Sequence, residues 1–279
     1  MLAAWPAKPS FTEIPVTFST SKIPIFDVEI ENKSYGIRFD IGSKFSLTLN
    51  KIILDSLKNK KDNGIAHSRD LKGNFYQSPS YLIPEIEIGN LILEEVVVSE
   101  KSDEFRKNTT LWNDSNTTSF PSAGTLGRPL LEKTNLLFDF PRSKIIACSD
   151  RKKLKEHDYF IEKMLKIPLE ISPKGIVIKA ETDIGQLRLL LDTGTTVSLL
   201  RESTLEQDHP RNKENHGFFI FQTQKFSIGN GDFGSQKFVL YDITPELDVL
   251  DGILGMDFLM HHVVYIDYPS STLYIQNSK

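Results

Sequence analysis

The sequence predicts an all-β fold built twice from one unit. Three observations carry this. Short apolar runs alternate with Gly-Asn and Gly-Asp turns, as in YLIPEIEIGNLILEEVVVSE, the pattern of half-buried strands joined by hairpins. Phenylalanine is abundant, 18 of 279 residues, and aromatic side chains suit pleated surfaces. Most decisively, two long blocks recur in the same order without gaps.

The first block covers 24–47, PIFDVEIENKSYGIRFDIGSKFSL, and aligns with 176–199, IVIKAETDIGQLRLLLDTGTTVSL. The offset is constant (192 − 40 = 152). Each copy reads as strand, turn, strand, then an aspartate and a glycine turn. Asp40 falls on Asp192, Gly42 on Gly194, Ser43 on Thr195 and Ser46 on Ser198. A weaker match sets IEIGN (86–90) on FSIGN (226–230). The last block, GTLGRPLLEKTNLLFDFPRSKIIA (124–147), aligns with GILGMDFLMHHVVYIDYPSSTLYI (252–275), now at 252 − 124 = 128. Two lobes follow, 1–150 and 167–279, each with one copy of the unit. The polar insert 99–122 lengthens the first and reads as a surface loop. The segment 151–166, RKKLKEHDYFIEKMLK, is made of good helix formers and ends before Pro168, so it predicts a linking helix.

Bulk properties exclude several functions. Net charge is −4 and the pI about 5.9, which argues against a nucleic-acid surface. The basic run NKIILDSLKNKKDN reads as a solvated face. Cys148 is the single cysteine, so no intrachain disulfide forms, and no Cys/His set has zinc spacing. His261 and His262 are neighbours and would point to opposite faces of a strand; no metal or cofactor is expected. No apolar run approaches the ~20 residues of a membrane span. MLAAWPAKPS lacks the charged start and apolar middle of a signal peptide, which leaves a soluble protein, cytoplasmic or exported with its signal trimmed. The sequons at Asn108, Asn113 and Asn116 read as chance in a polar loop.

The chemistry concentrates at LLLDTGTT (189–196). An ionised carboxylate following a buried apolar run needs a compensating partner. The duplication supplies one: units packed about a twofold axis bring Asp40 to Asp192. Two adjacent carboxyls cannot both ionise easily, so they share a proton and can act as acid and base. Gly42 and Gly194 suit tight turns, and the hydroxyls of Ser43 and Thr195 can donate to the outer carboxyl oxygens.

LLLDTGTT with GILGMDFL (252–259), and the more degenerate FDIGS (39–43) with GTLGRPLL (124–131), resemble the aspartic peptidases of the retropepsin/pepsin clan. The likeness covers nearly the whole chain. It implies a bilobed, pepsin-like arrangement of two retropepsin-like β-barrels with few short helices, fused in one chain and so a monomer. It implies Asp40 and Asp192 as the catalytic pair and Gly42, Ser43, Thr193, Gly194 and Thr195 as support. A bound nucleophilic water, no metal and extended peptide or protein substrates are also implied. Flap hairpins would centre by position near Gly73 and Gly217. The chain departs from the pattern at Ile41, where family members carry Thr or Ser whose hydroxyls hydrogen-bond across the lobe interface. That leaves Thr193 to bond locally, and it motivates an alternative: a peptide-binding or scaffolding protein that keeps the cleft without turnover. Lys44 would lower the Asp40 pKa if it reached the carboxylate.

Other motifs read as structural. Asp183-Ile184-Gly185 spells D-x-G but falls at a hairpin turn. Gly229 to Gly234 matches G-x-G-x-x-G but leads into the strand-like QKFVLYDI rather than a helix. Asp139 and Asp267 precede turns, and Asp257 faces Pro129 in the other copy.

Overall fold

The computed structural model describes residues 10–101, 122–132, 134–206, 209–213, 217–244 and 249–277. The insert read as a surface loop falls largely outside them. Strands dominate, arranged in three sheets. An eight-stranded sheet takes residues from Thr17–Phe18 to Gly124–Gly127, and a second sheet runs from Glu170–Ser172 to Gly252–Leu254. The fold is all-β and bilobed, with pepsin-like barrels.

The third sheet joins the halves. Its order is Phe11–Pro15, Lys144–Cys148, Leu136–Asp139, His262–Asp267, Thr272–Asn277 and Leu165–Pro168. The central pair is antiparallel, and its register carries the symmetry. Leu137 faces Tyr265, while Leu136 faces Ile266 and Phe138 faces Val264. At the 128-residue offset Leu137 is the equivalent of Tyr265, and the two flanking pairs are each other's images. A pseudo-twofold axis therefore passes through the Leu137–Tyr265 pair. Both side chains are fully buried, so a register slip would turn this seam inside out.

The repeated blocks fold alike. Gly89 and Gly229 end equivalent strands with the same φ of +58°, a left-handed turn geometry that favours glycine. In each half the Leu-Gly step is followed by a four-residue helix, Arg128–Leu131 or Met256–Leu259.

The linking helix is shorter than expected. It covers Arg151–Glu156, capped by the Asp150 side chain on Lys152 N–H at 2.9 Å, and Asp158 at φ +66° breaks it. Leu165–Pro168 is a strand instead, paired with Thr272–Ile275. Helix propensity in this segment yields to the edge of the joining sheet, where Ile167 is buried at 2% exposure. The helix and the turn Ile161–Lys163 cover a small apolar cluster on that sheet, including Leu137, Ile146, Tyr265 and Tyr274.

Candidate functional site

Each aspartate ends a strand held in a parallel pair. Lys33–Asp40 runs beside Gly124–Gly127, with Asp40 opposite Gly127. Gly185–Leu191 runs beside Gly252–Leu254, and Asp192 N–H donates to Leu254 O at 3.0 Å. The apolar side chains of these strands fill the barrels, so the carboxyls are delivered at the strand ends where the two halves meet.

The structure brings Asp40 and Asp192 together. A Cβ added to Gly42 would lie 2.5 Å from Asp192 Cγ, and one added to Gly194 would lie 2.5 Å from Asp40 Oδ2. Each glycine thus presses against the carboxyl of the other half, at a distance only glycine permits. Asp192 is 8% exposed, while Asp40 keeps an edge open to solvent. The Asp40 carboxyl is nonetheless deep enough that burial is the first cause of a pKa held well above the carboxylate range. The Asp192 charge and a hydrogen bond between the two carboxyls add to it. Lys44 does not counter this: its exposed ammonium lies over the Phe45 ring, 5.9 Å from the centroid.

Local donors orient the pair unequally. Asp192 Oδ1 accepts Gly194 N–H at 2.7 Å and Oδ2 accepts the Thr195 hydroxyl at 2.5 Å. Asp40 Oδ1 accepts Ser43 N–H at 2.8 Å. The Ser43 hydroxyl was expected to mirror Thr195, but it accepts Phe45 N–H at 3.3 Å. Its Oγ packs under Gly127, where a Cβ would come within 2.9 Å. Among the described residues, Ser43 therefore meets the carboxylate through its backbone.

Thr193 also departs from expectation. Its hydroxyl does not bond locally. It accepts Ile41 N–H at 3.0 Å and donates to Phe39 O at 3.0 Å, both in the other half. Thr193 and Ile41 are fully buried. One threonine thus stitches the halves beneath the carboxyls, while the equivalent place holds an apolar side chain.

Gly73 lies at the tip of the hairpin formed by Lys61–Arg69 and Phe75–Ile88, at φ +87°. Asp70 organises the tip: Oδ1 accepts N–H from Lys72 and Asn74, and Oδ2 accepts Asn74 Nδ2 and Tyr76 OH. Burial works to raise its pKa, and these donors outweigh it, leaving the carboxyl below its usual range. The tip reaches the second half, where Thr244 N–H donates to Leu71 O at 2.7 Å and Lys72 lies over the Tyr241 ring. Nothing in the repeats pointed to Thr244. Gly217, at φ +86°, precedes the strand Phe219–Gln222; residues 214–216 of that hairpin lie outside the described ones.

Other singled-out residues are structural. Asp139 accepts Tyr159 OH at 2.6 Å and Arg142 N–H at 3.2 Å. Asp267 pairs with Arg151. Asp183 sits in its hairpin turn and accepts Gln224 N–H. The glycines 229–234 belong to a hairpin and loop leading into the strand Lys237–Tyr241. Arg128, 6% exposed, was missed by pattern reasoning; its guanidinium crosses to Ser172 O at 2.8 Å and Pro173 O at 3.1 Å. Among the described residues no group of three or more His, Cys, Asp or Glu is placed to hold a metal ion, and no helix is long and apolar enough to cross a membrane.

No protein-family model matches the chain, and no curated protein matches it in sequence. Solved structures do match in fold. Conglutin gamma, a basic 7S globulin from lupine seeds, superposes with a TM-score of 0.68 at 12% identity, over 98% of this chain and 96% of its own. Basic 7S globulin from soybean gives 0.64 at 12% identity, over 97% and 95%. An aspartic proteinase from Irpex lacteus gives 0.62 at 14% identity, over 96% and 98%. The shared fold hosts globulins and a proteinase alike, so function has to be argued from the site.

Proposed function

We propose that the chain is an aspartic endopeptidase whose paired carboxyls, Asp40 and Asp192, activate water for peptide-bond hydrolysis. The observation that carries this reading is the convergence of two carboxyls from different halves, each pressed against the aspartate-turn glycine of the other half. Burial and like charge hold a proton on the pair. The ionised carboxyl takes a proton from water as the water oxygen bonds to the scissile carbonyl carbon. The protonated carboxyl gives its proton to the carbonyl oxygen. Collapse of the tetrahedral species breaks the C–N bond, and a proton returned from the pair makes the leaving nitrogen an amine. The fused halves supply both acids, so a monomer suffices. The substrate is an extended peptide laid under the hairpin tip at Gly73, and its entry requires the Leu71–Thr244 hydrogen bond to part.

The test is Asp192→Asn in purified protein. Cleavage should fall by roughly 10²–10⁴-fold, the range general acid–base groups supply, with the fold kept. Undiminished cleavage would rule the proposal out. Ile41 favours one second reading, a peptide-binding protein without turnover. A mixed-peptide digest from about pH 3 to pH 8, with and without a transition-state-mimicking inhibitor, separates the two. Peptide affinity with no inhibitor-sensitive product would favour the second.

A further inference from the structure

A cavity of about 410 Å³ opens where the linking segment meets the strand Thr272–Asn277 of the second half, within the size range of small-ligand sites. None of its lining residues belongs to the turns that carry Asp40 and Asp192. Its wall is cationic. The helix Arg151–Glu156 contributes Arg151, Lys152 and Lys155, and the edge strand Leu165–Pro168 contributes Lys166. One carboxylate, Glu162, lines it with them. Arg151 is fixed in place: Nη2 donates to Asp267 and, at 3.1 Å, to Tyr274 OH, and the guanidinium lies over the Tyr274 ring, 5.0 Å from its centroid. Among the described residues no acid pairs with the ammonium of Lys152, Lys155 or Lys166. Counting Asp267, four cations meet two carboxylates, an excess of two positive charges.

The rest of the lining is apolar. Ile161, Met164 and the Tyr274 ring are buried members of the small cluster on the joining sheet. Closing that cluster does not require phenols. At the 128-residue offset Tyr274 falls on Ile146 and Tyr265 on Leu137, so aliphatic side chains serve in the other half. Here both rings lie beneath the Arg151 guanidinium.

We propose that this cavity binds a small phosphate monoester with an apolar, ring-sized body. The assignment is independent of the peptidase reading. A phosphate monoester carries close to two negative charges at neutral pH, which matches the excess on the wall. Lysine binds phosphate as a point charge, and arginine adds directed donors. Glu162 repels such a ligand and is outnumbered. The body covers Ile161, Met164 and the tyrosine ring, and that burial adds affinity in proportion to the apolar area removed from water. The enclosed shape suits a small molecule, whereas a nucleic acid needs an extended basic face.

Phenyl phosphate, phenyl sulfate, inorganic phosphate and phenol separate the parts of this assignment. Each is titrated at low salt near neutral pH and followed by the Met164 methyl signal in NMR and by the melting temperature. Phenyl phosphate should bind, shift that signal and raise the melting temperature. Phenyl sulfate has one charge fewer and should bind about fivefold more weakly. Inorganic phosphate lacks the ring and should bind about tenfold more weakly. Phenol should not bind. Lys155→Glu combined with Lys166→Glu, two exposed positions, should abolish binding. No response to phenyl phosphate at millimolar concentration overturns the site. Equal binding of phenyl sulfate overturns the charge match, and equal binding of inorganic phosphate overturns the apolar seat. An N-acetyl-phosphoserinamide that binds more tightly than phenyl phosphate would move the site to phosphorylated protein and overturn the small-molecule assignment. These ligand comparisons need no variant. Unchanged binding in the double variant overturns the location.

Discussion

The two copies of the aspartate turn differ more in how they are held than in where they sit. In the second copy, Thr193 reaches across the interface with both a donor and an acceptor, and the Thr195 hydroxyl braces its own carboxylate. In the first, Ile41 packs as a buried hydrocarbon and the Ser43 hydroxyl serves Phe45 N–H. The position of the pair is symmetric; its support is not. A duplicated site can lose one half of a reciprocal hydrogen-bond set if the remaining half still pairs the backbone groups opposite it. Thr193 does that for Ile41 N–H and Phe39 O.

The largest effect on this comparison should come from Thr193→Val. It keeps the shape and strands two buried backbone groups, each costing about 1–3 kcal/mol. A loss of roughly 2–4 kcal/mol in urea unfolding is expected, and a loss below about 0.5 kcal/mol would mean the interface does not depend on this hydroxyl. Ile41→Thr should come next. Trading a fully buried hydrocarbon for a hydroxyl is expected to destabilise by about 1–2 kcal/mol. A gain in stability or in cleavage rate would show instead that the first copy can still take up the missing half.

The pH dependence tests the pairing. Asp40 holds its proton to a higher pH in the folded protein than in the unfolded chain, so the folded state binds more protons above the ordinary carboxyl range. Stability is fully present below that range and falls as pH climbs toward the raised value. Each unit of separation is worth about 1.4 kcal/mol. Asp40→Asn should therefore melt higher than the parent at neutral pH, with the gap closing in acid. A constant gap across pH would show that the carboxyl carries no excess proton. The smallest difference should lie between the outer hydroxyls. Ser43→Ala should shift the melting temperature little, while Thr195→Val, which removes a donor to Asp192, should lower it by the loss of one charge-assisted hydrogen bond. Equal shifts would restore the symmetry that the geometry breaks.

Much of the architecture was legible in the chain because the unit is written twice. Ungapped offsets located both aspartates, their glycines and the Leu-Gly elements, and even the weaker match between them, at 229 − 89 = 140, puts Gly89 and Gly229 at the same φ. Single-residue chemistry was less legible. Ser43 and Thr195 occupy equivalent positions, yet only packing under Gly127 shows that the serine hydroxyl is turned away. Helix-forming residues in 151–166 masked a strand whose partner lies more than a hundred residues further on. Arg128, Thr244 and Asp257 carry no repeat signal: Arg128 falls on Met256 and Asp257 on Pro129, and Thr244 lies outside the repeated blocks.

By itself, then, the sequence determined that one β unit occurs twice and that each copy ends a buried strand in an aspartate and a glycine turn. Periodicity and self-similarity are local properties, and they survive without a folded partner. The tertiary structure decided that each carboxyl lies against the other half's glycine, that the hydroxyl of Thr193 bonds across the halves beneath them, and that a hairpin tip closes on Thr244. Those outcomes depend on distances across an interface, where a few ångströms choose between a hydrogen bond and none.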